Sequence, residues 1–125
     1  MRILHTSITV KDLEESITFY CEVMGLEFLH RREISKNKAV IAFLRDAESG
    51  AQIELTFWKE KDDWNEGDEL DHIAFAVRDM DEAVRKFKER KVEIAMEPYS
   101  LNGSTTRIAF IKDPNGIWLE IVERR

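Results

Sequence analysis

Apolar and polar residues alternate along residues 3–10, with Leu4, Thr6, Ile8 and Val10 on one side and Ile3, His5, Ser7 and Thr9 on the other. A period of two predicts a half-buried strand that carries His5 on its more polar face. The period then lengthens. Leu13, Ile17, Tyr20 and Met24 recur at helical spacing. Asp12 precedes them as an N-cap with Glu15 three residues on, and Gly25 suits the stop. Residues 39–44 and 51–58 return to a strand pattern around a polar turn containing Ser49 and Gly50. From residue 70 the series begins again. Residues 70–77 predict a strand, Asp79 caps a helix bearing Met80, Ala83, Val84 and Phe87, and residues 106–112 and 117–123 predict strands. The last two are joined by Asp113-Pro114-Asn115-Gly116, a strong turn signal. Residues 59–69 are polar and rich in charge and read as an exposed connection, with Trp64 expected to anchor it.

The recurrence is close enough to align residue by residue. His5, Val10, Lys11, Asp12, Leu13 and Glu15 return as His72, Val77, Arg78, Asp79, Met80 and Glu82, at an offset of 67 (72 − 5). Ile53-Glu54-Leu55 returns as Leu119-Glu120-Ile121, at an offset of 66 (120 − 54). The same His opens each half and the same Glu closes it. Two βαβββ modules, about 1–58 and 70–125, are therefore expected within one domain spanning 1–125. A half of roughly 60 residues would bury little core alone. The fold class is α+β: a curved, cup-shaped mixed sheet with the helices on its outer face.

Composition narrows the setting. Apolar residues make up 43% and charged residues 35% of the 125, a globular balance. No apolar run approaches the roughly 20 residues that cross a bilayer, and the start shows no signal-peptide core. Cys21 is the single cysteine, which fits a reducing cytoplasm. A formal net charge of −6 disfavours nucleic acid as a partner.

The two pairs of His and Glu carry the chemistry. Residues two apart in a strand share a face. His5 therefore groups with Ser7 and Thr9, Glu54 with Gln52, Thr56 and Trp58, His72 with Leu70, Ala74 and Ala76, and Glu120 with Trp118 and Val122. The opposite faces hold Ile8, Val10, Ile53, Leu55, Phe57, Ile73, Phe75, Val77, Leu119 and Ile121, as packing against helices requires. A lone strand His is more often a packed or surface residue than a ligand, and a lone strand Glu is usually solvated. Here each has a counterpart in the other half and apolar neighbours. An unpaired buried carboxylate costs several kcal/mol. A divalent cation would cancel two such charges and accept two neutral imidazoles. The ligand set His5, Glu54, His72 and Glu120 has no thiolate. It suits Zn, Ni, Co or Fe with open positions where a substrate's oxygens can bind.

Other candidates are weaker. His30 lies beside Arg31 and Arg32 and is expected at the surface. Cys21 has no His at a spacing that would activate it, so packing is the expectation. No phosphate loop, dinucleotide fingerprint or nucleophile elbow is present.

These residues resemble the vicinal-oxygen-chelate superfamily and, within it, the short bacterial form of glyoxalase I (lactoylglutathione lyase). The similarity runs through Met1-Arg2-x-Leu4-His5-Thr6, Phe19-Tyr20, Met24-Gly25-Leu26 and Ile53-Glu54-Leu55-Thr56. It continues through His72-Ile73-Ala74, Ile108-Ala109-Phe110 and Asp113-Pro114-x-Gly116-x-x-x-Glu120, and so covers essentially the whole chain. The resemblance implies one divalent metal per site, nickel or cobalt favoured over zinc, held by His5, Glu54, His72 and Glu120. It implies a homodimer in which each subunit gives two ligands to a site at the interface. The implied substrate is the hemithioacetal of methylglyoxal and glutathione. Its isomerisation through an enediolate to S-lactoylglutathione would detoxify methylglyoxal. Glu120 would be the base, with Glu54 assisting.

The departures bear on the thiol. Glutathione-dependent members of that branch usually carry Arg four residues after the first His and Asn four after the first Glu. Thr9 and Trp58 stand there, and Arg107 is the candidate replacement anion contact. A methylmalonyl-CoA epimerase is the nearest alternative, although that branch usually has Gln in place of Glu54. Dioxygenases of the superfamily, with two His and one Glu, and fosfomycin-modifying enzymes, with three protein ligands, fit less well. A non-catalytic ligand binder of this fold would generally lack the full metal set.

Overall fold

A computed structural model describes residues 1–63, 70–100 and 103–124. Trp64 and the rest of the charged connection up to residue 69 lie outside the described residues. The chain forms two compact units, Met1–Trp64 and Asn65–Arg125. Among the described residues, no helix is long and apolar enough to cross a membrane.

In the first unit, β1 (Thr6–Thr9) leads into α1 (Leu13–Thr18), followed by β2 (Glu27–Ile34), β3 (Ala39–Arg45) and β4 (Gln52–Trp58). The Asp12 side chain accepts from the Glu15 amide, so the predicted cap forms. The helix then widens into a π-turn over Phe19–Val23, closed by the bond from Met24 N–H to the Phe19 carbonyl. Gly25, at φ 81°, lets the chain leave in the left-handed region. The strands order β1-β4-β3-β2, with β1 parallel to β4 and the other pairs antiparallel.

The second unit repeats this plan with β5 (Ile73–Val77), α2 (Met80–Glu89), β6 (Ile94–Ser100), β7 (Arg107–Lys112) and β8 (Trp118–Glu123), ordered β5-β8-β7-β6. Asp79 caps α2 by accepting from the Glu82 amide. The expected α+β class thus appears as two βαβββ modules, each with its own four-stranded mixed sheet.

One face of each sheet is packed with apolar side chains. Ile8, Val10, Leu44, Ile53 and Leu55 are buried in the first unit together with Leu13, Phe19 and Tyr20 of the helical segment. Ala109, Ile111, Leu119 and Ile121 do the same in the second, with Met80 and Phe87 of α2. Burial of this kind contributes roughly 25 cal/mol per Å² of apolar surface, which outweighs the weak intrinsic preference of a six-residue helix. The parity of each strand is then fixed. If odd-numbered residues of β8 face the core, Glu120 must project from the other side.

The outer strands β2 and β6 show no clean alternation. Each sits at a sheet edge, and each pairs with its neighbour through register shifts: between Phe28 and His30 in β2, and at Ile94/Met96 and Met96/Tyr99 in β6. Bulges and charged side chains at an edge discourage further strand pairing.

Candidate metal centre

In each unit a row of side chains crosses the sheet on the face away from the apolar core. In the first unit Ser7 pairs with Glu54, Glu54 with Phe43, and Phe43 with His30. In the second, Ala74 pairs with Glu120, Glu120 with Phe110, and Phe110 with Met96. The central Glu–Phe pair is common to both rows, and the outer members differ.

The histidines lie just ahead of their strands and lean on those phenylalanines. His5 meets Phe43 edge to face, with ring centroids 4.9 Å apart at 88°. His72 meets Phe110 at 5.7 Å and 83°. Both pairs have the T-shaped geometry that aromatic quadrupoles favour. Phe43 and Phe110 are 67 residues apart, the same offset as the histidines, so repeat alignment pairs them. Their lack of polar chemistry hid them from a search for ligands.

His72 is held at both nitrogens. Asp71 accepts from Nδ1 at 2.7 Å, and Nε2 lies 2.8 Å from Glu120 Oε2. A carboxylate can only accept, so the Nδ1 contact places a hydrogen on Nδ1, and Nε2 would be left to give its lone pair to a cation bound between it and Glu120. Two adjacent ligands of an octahedral ion, each bonded at about 2.1 Å, would stand about 3 Å apart. The observed 2.8 Å separation is close to that spacing and is also that of a direct hydrogen bond. An Asp behind a ligating His is also the usual outer-shell arrangement.

Glu54 has different support. Thr56 Oγ1 lies 3.2 Å from its Oε1, and Ser7 Oγ lies 3.0 Å from Thr56 Oγ1. Thr56 is 6% exposed. The apolar surroundings expected for both acids hold better for Glu120, whose neighbours on that face include Ala74, Phe110 and Val122. Neither hydroxyl stood out in the sequence, since Ser and Thr alternate there as ordinary strand residues.

Among the described residues, no three His, Cys, Asp or Glu side chains converge on one metal-holding point. The four predicted ligands fall instead into two pairs, His5 and Glu54 in one unit and His72 and Glu120 in the other.

Thr9 and Trp58 share the Glu54 face. Thr9 stands opposite Thr56, and Trp58, 37% exposed, ends β4 and lines a shallow cavity with Lys38, Glu60, Lys61 and Asp63. Arg107, the candidate anion contact, stands apart from the Glu120 row. It lies three positions from Phe110 on β7 and therefore on the opposite face from Glu120. Its guanidinium bonds Asp81 Oδ1 at 3.0 Å and Glu123 Oε2 at 3.1 Å. These carboxylates push its pKa above the ordinary arginine value. Glu123 Oε2 also accepts from the Met80 amide at 2.8 Å, so the cluster fastens the start of α2 to β8. His30 is exposed, as expected, but its ring lies against Phe43 at 5.0 Å on the Glu54 face. Cys21 is half-buried, and burial together with Glu22 pushes its thiol pKa up, away from nucleophilic use.

Known proteins similar to this chain in sequence or fold are numerous. Residues 2–121 match the model of the Glyoxalase/Bleomycin resistance protein/Dioxygenase superfamily. A probable lactoylglutathione lyase of Vibrio cholerae is 39% identical over 99% of this chain and 91% of its own length. The lactoylglutathione lyase of Haemophilus influenzae is 36% identical over 100% of this chain and 94% of its own. Among solved structures, glyoxalase I from Zea mays superposes with a TM-score of 0.89 at 31% identity. That match covers 98% of this chain but only 44% of the maize chain. On its two aligned His–Glu modules and these full-length similarities, the chain belongs to the Glyoxalase/Bleomycin resistance protein/Dioxygenase superfamily.

Proposed function

We propose that the chain is a metal-dependent lyase of the glyoxalase I type, isomerising the hemithioacetal of methylglyoxal and a thiol to the S-lactoyl thioester. The observation that carries this reading is the His72–Glu120 pair, spaced for adjacent coordination and backed by Asp71. The recurrence of His5, Phe43 and Glu54 in the first unit supports it. Relatives named lactoylglutathione lyase over nearly their whole length support the reaction class.

His5, Glu54, His72 and Glu120 are the ligands in this reading, with nickel or cobalt favoured and zinc an acceptable substitute. A bound divalent ion supplies Lewis acidity for two neighbouring substrate oxygens. His72 is oriented by Asp71 and Phe110, so its lone pair stays aimed at the site. Glu120 removes the carbon-bound proton and returns it to the adjacent carbon. An acid–base group held at the reacting centre typically contributes 10²–10⁴-fold. The sites form in a homodimer, two ligands from each subunit, and the enzyme works in the cytoplasm. Glutathione is the first thiol to test, and Thr9 and Trp58 tune the fit of that thiol.

The test is turnover of the methylglyoxal–glutathione hemithioacetal by protein stripped of metal and reloaded with nickel, cobalt, zinc or magnesium. Metal-dependent turnover lost by at least about 10²-fold in Glu120→Gln is expected. Metal uptake without turnover would rule out glutathione and direct the search to other thiols. No uptake would end the reading.

A further inference from the structure

The two glutamates stand at equivalent places in the repeat, yet their surroundings differ by two hydroxyl groups. Beside Glu54 are Ser7 on the neighbouring strand and Thr56 two residues along; beside Glu120 the same places hold Ala74 and Val122. Ala is Ser without its oxygen, and Val matches Thr in shape. Side-chain volume is thus nearly conserved between the halves while the hydrogen-bonding capacity is present in only one.

The bonds on the Glu54 side have a fixed direction. An ionised carboxylate only accepts, so the Thr56 hydroxyl donates to Glu54 Oε1 across 3.2 Å. That hydroxyl has one hydrogen, so the 3.0 Å contact with Ser7 is donated by Ser7 to Thr56 Oγ1. A relay results: Ser7 aims Thr56, and Thr56 aims Glu54. It joins β1 to β4 across the sheet and uses one carboxylate oxygen. Among the described residues, no hydroxyl donates to Glu120, whose carboxylate meets the His72 ring alone.

We propose that Ser7 and Thr56 are positioning residues that fix the rotamer of Glu54 before the metal binds. This rests on the metal-dependent reading above and assigns a role to two hydroxyls that the second half of the repeat lacks. A ligand benefits from having its rotamer fixed in advance, since ordering is then not charged against binding.

The test is calorimetric titration of nickel into metal-free protein. Wild type is compared with Thr56→Val, Thr56→Ser and Ser7→Ala, and with Thr56→Val in a Glu54→Ala background. Thermal melts of the metal-free proteins check folding, and the Val variant keeps the shape of Thr56. Thr56→Val is expected to weaken nickel binding about 10-fold or more, within the range for outer-shell partners, with Ser7→Ala smaller in the same direction. Thr56→Ser is expected to restore wild-type affinity. The Thr56→Val effect is expected to vanish when Glu54 is already Ala, because the hydroxyl acts only through that carboxylate. Undiminished affinity in Thr56→Val, or an equal loss in the Glu54→Ala background, would overturn the inference and leave the metal reading intact. Wild-type protein that takes up no nickel would overturn the metal reading and this inference with it.

Discussion

Phe110 faces Glu120 directly across the β7–β8 ladder and, from that place, gives the His72 ring an edge-to-face seat at 5.7 Å. One aromatic side chain therefore neighbours both members of the proposed ligand pair. Trp118 also packs against the Phe110 ring, with centroids 5.6 Å apart. Phe110→Ala is expected to loosen His72 while leaving Asp71 bonded to Nδ1. Metal affinity should fall by about 10-fold, as for other outer-shell losses, measured by competition with a coloured chelator. Unchanged affinity would mean that Asp71 alone orients the imidazole.

The distribution of the proposed ligands, two per unit, makes a mixing experiment decisive for the proposed homodimer. His5→Ala and Glu120→Gln are each expected to be inactive alone. If subunits share sites, a heterodimer of the two holds one doubly damaged site and one intact site. Mixing after reversible dissociation should then restore activity, toward half the wild-type value per heterodimer. No recovery despite subunit exchange would place all the ligands for a site in one chain.

Thr9 and Trp58 occupy the positions where glutathione-dependent members of the branch carry Arg and Asn. Both lie on the Glu54 face, within the strands that carry the proposed ligands. With glutathione as the thiol, Thr9→Arg combined with Trp58→Asn should lower KM for the hemithioacetal several-fold with kcat little changed. An added contact distant from the reacting carbons strengthens ground state and transition state alike. A raised KM would show that Trp58 itself contributes to thiol binding.

The turn after β3 provides a pH signature unrelated to the site. The Ser49 hydroxyl and amide and the Glu48 amide donate to Asp46, holding its carboxyl below the usual aspartate range. A depressed folded-state pKa stabilises the protein above the unfolded value, about 3.9, and that stability is lost as pH falls through the lower folded value. Asp46→Asn should therefore be less stable than wild type at neutral pH, with the difference shrinking in urea melts as pH falls below the unfolded value. The turn is exposed, so the difference should stay under about 1 kcal/mol. A gap that persists in acid would assign the effect to turn geometry instead of ionisation.

Much of this molecule is legible in one dimension. Asp12 and Asp79 cap their helices as their spacing predicts, because a cap depends on residues within one turn. The central strands emerge from alternation because one face of each is buried. The His and Glu pairs emerge from the repeat, which needs only a comparison of the chain with itself. The edge strands did not, since β2 and β6 bury neither face cleanly and shift register where they pair. Arg107 shows how a reading can be incomplete: its side of the sheet follows from parity with Phe110, but only once the register of β7 against β8 is known.

The sequence by itself determined the capped helices, the central strands, the twofold repeat and the face of those strands that carries polar chemistry, all consequences of local periodicity. Tertiary structure decided which side chains stand beside them. Phe43 came to rest against His5, Asp81 and Glu123 bonded Arg107 on the helix side, and Ser7 met Thr56 across 49 residues of chain. Those contacts depend on inter-strand register and crossing segments, which the hydrophobic core fixes cooperatively and no local pattern encodes.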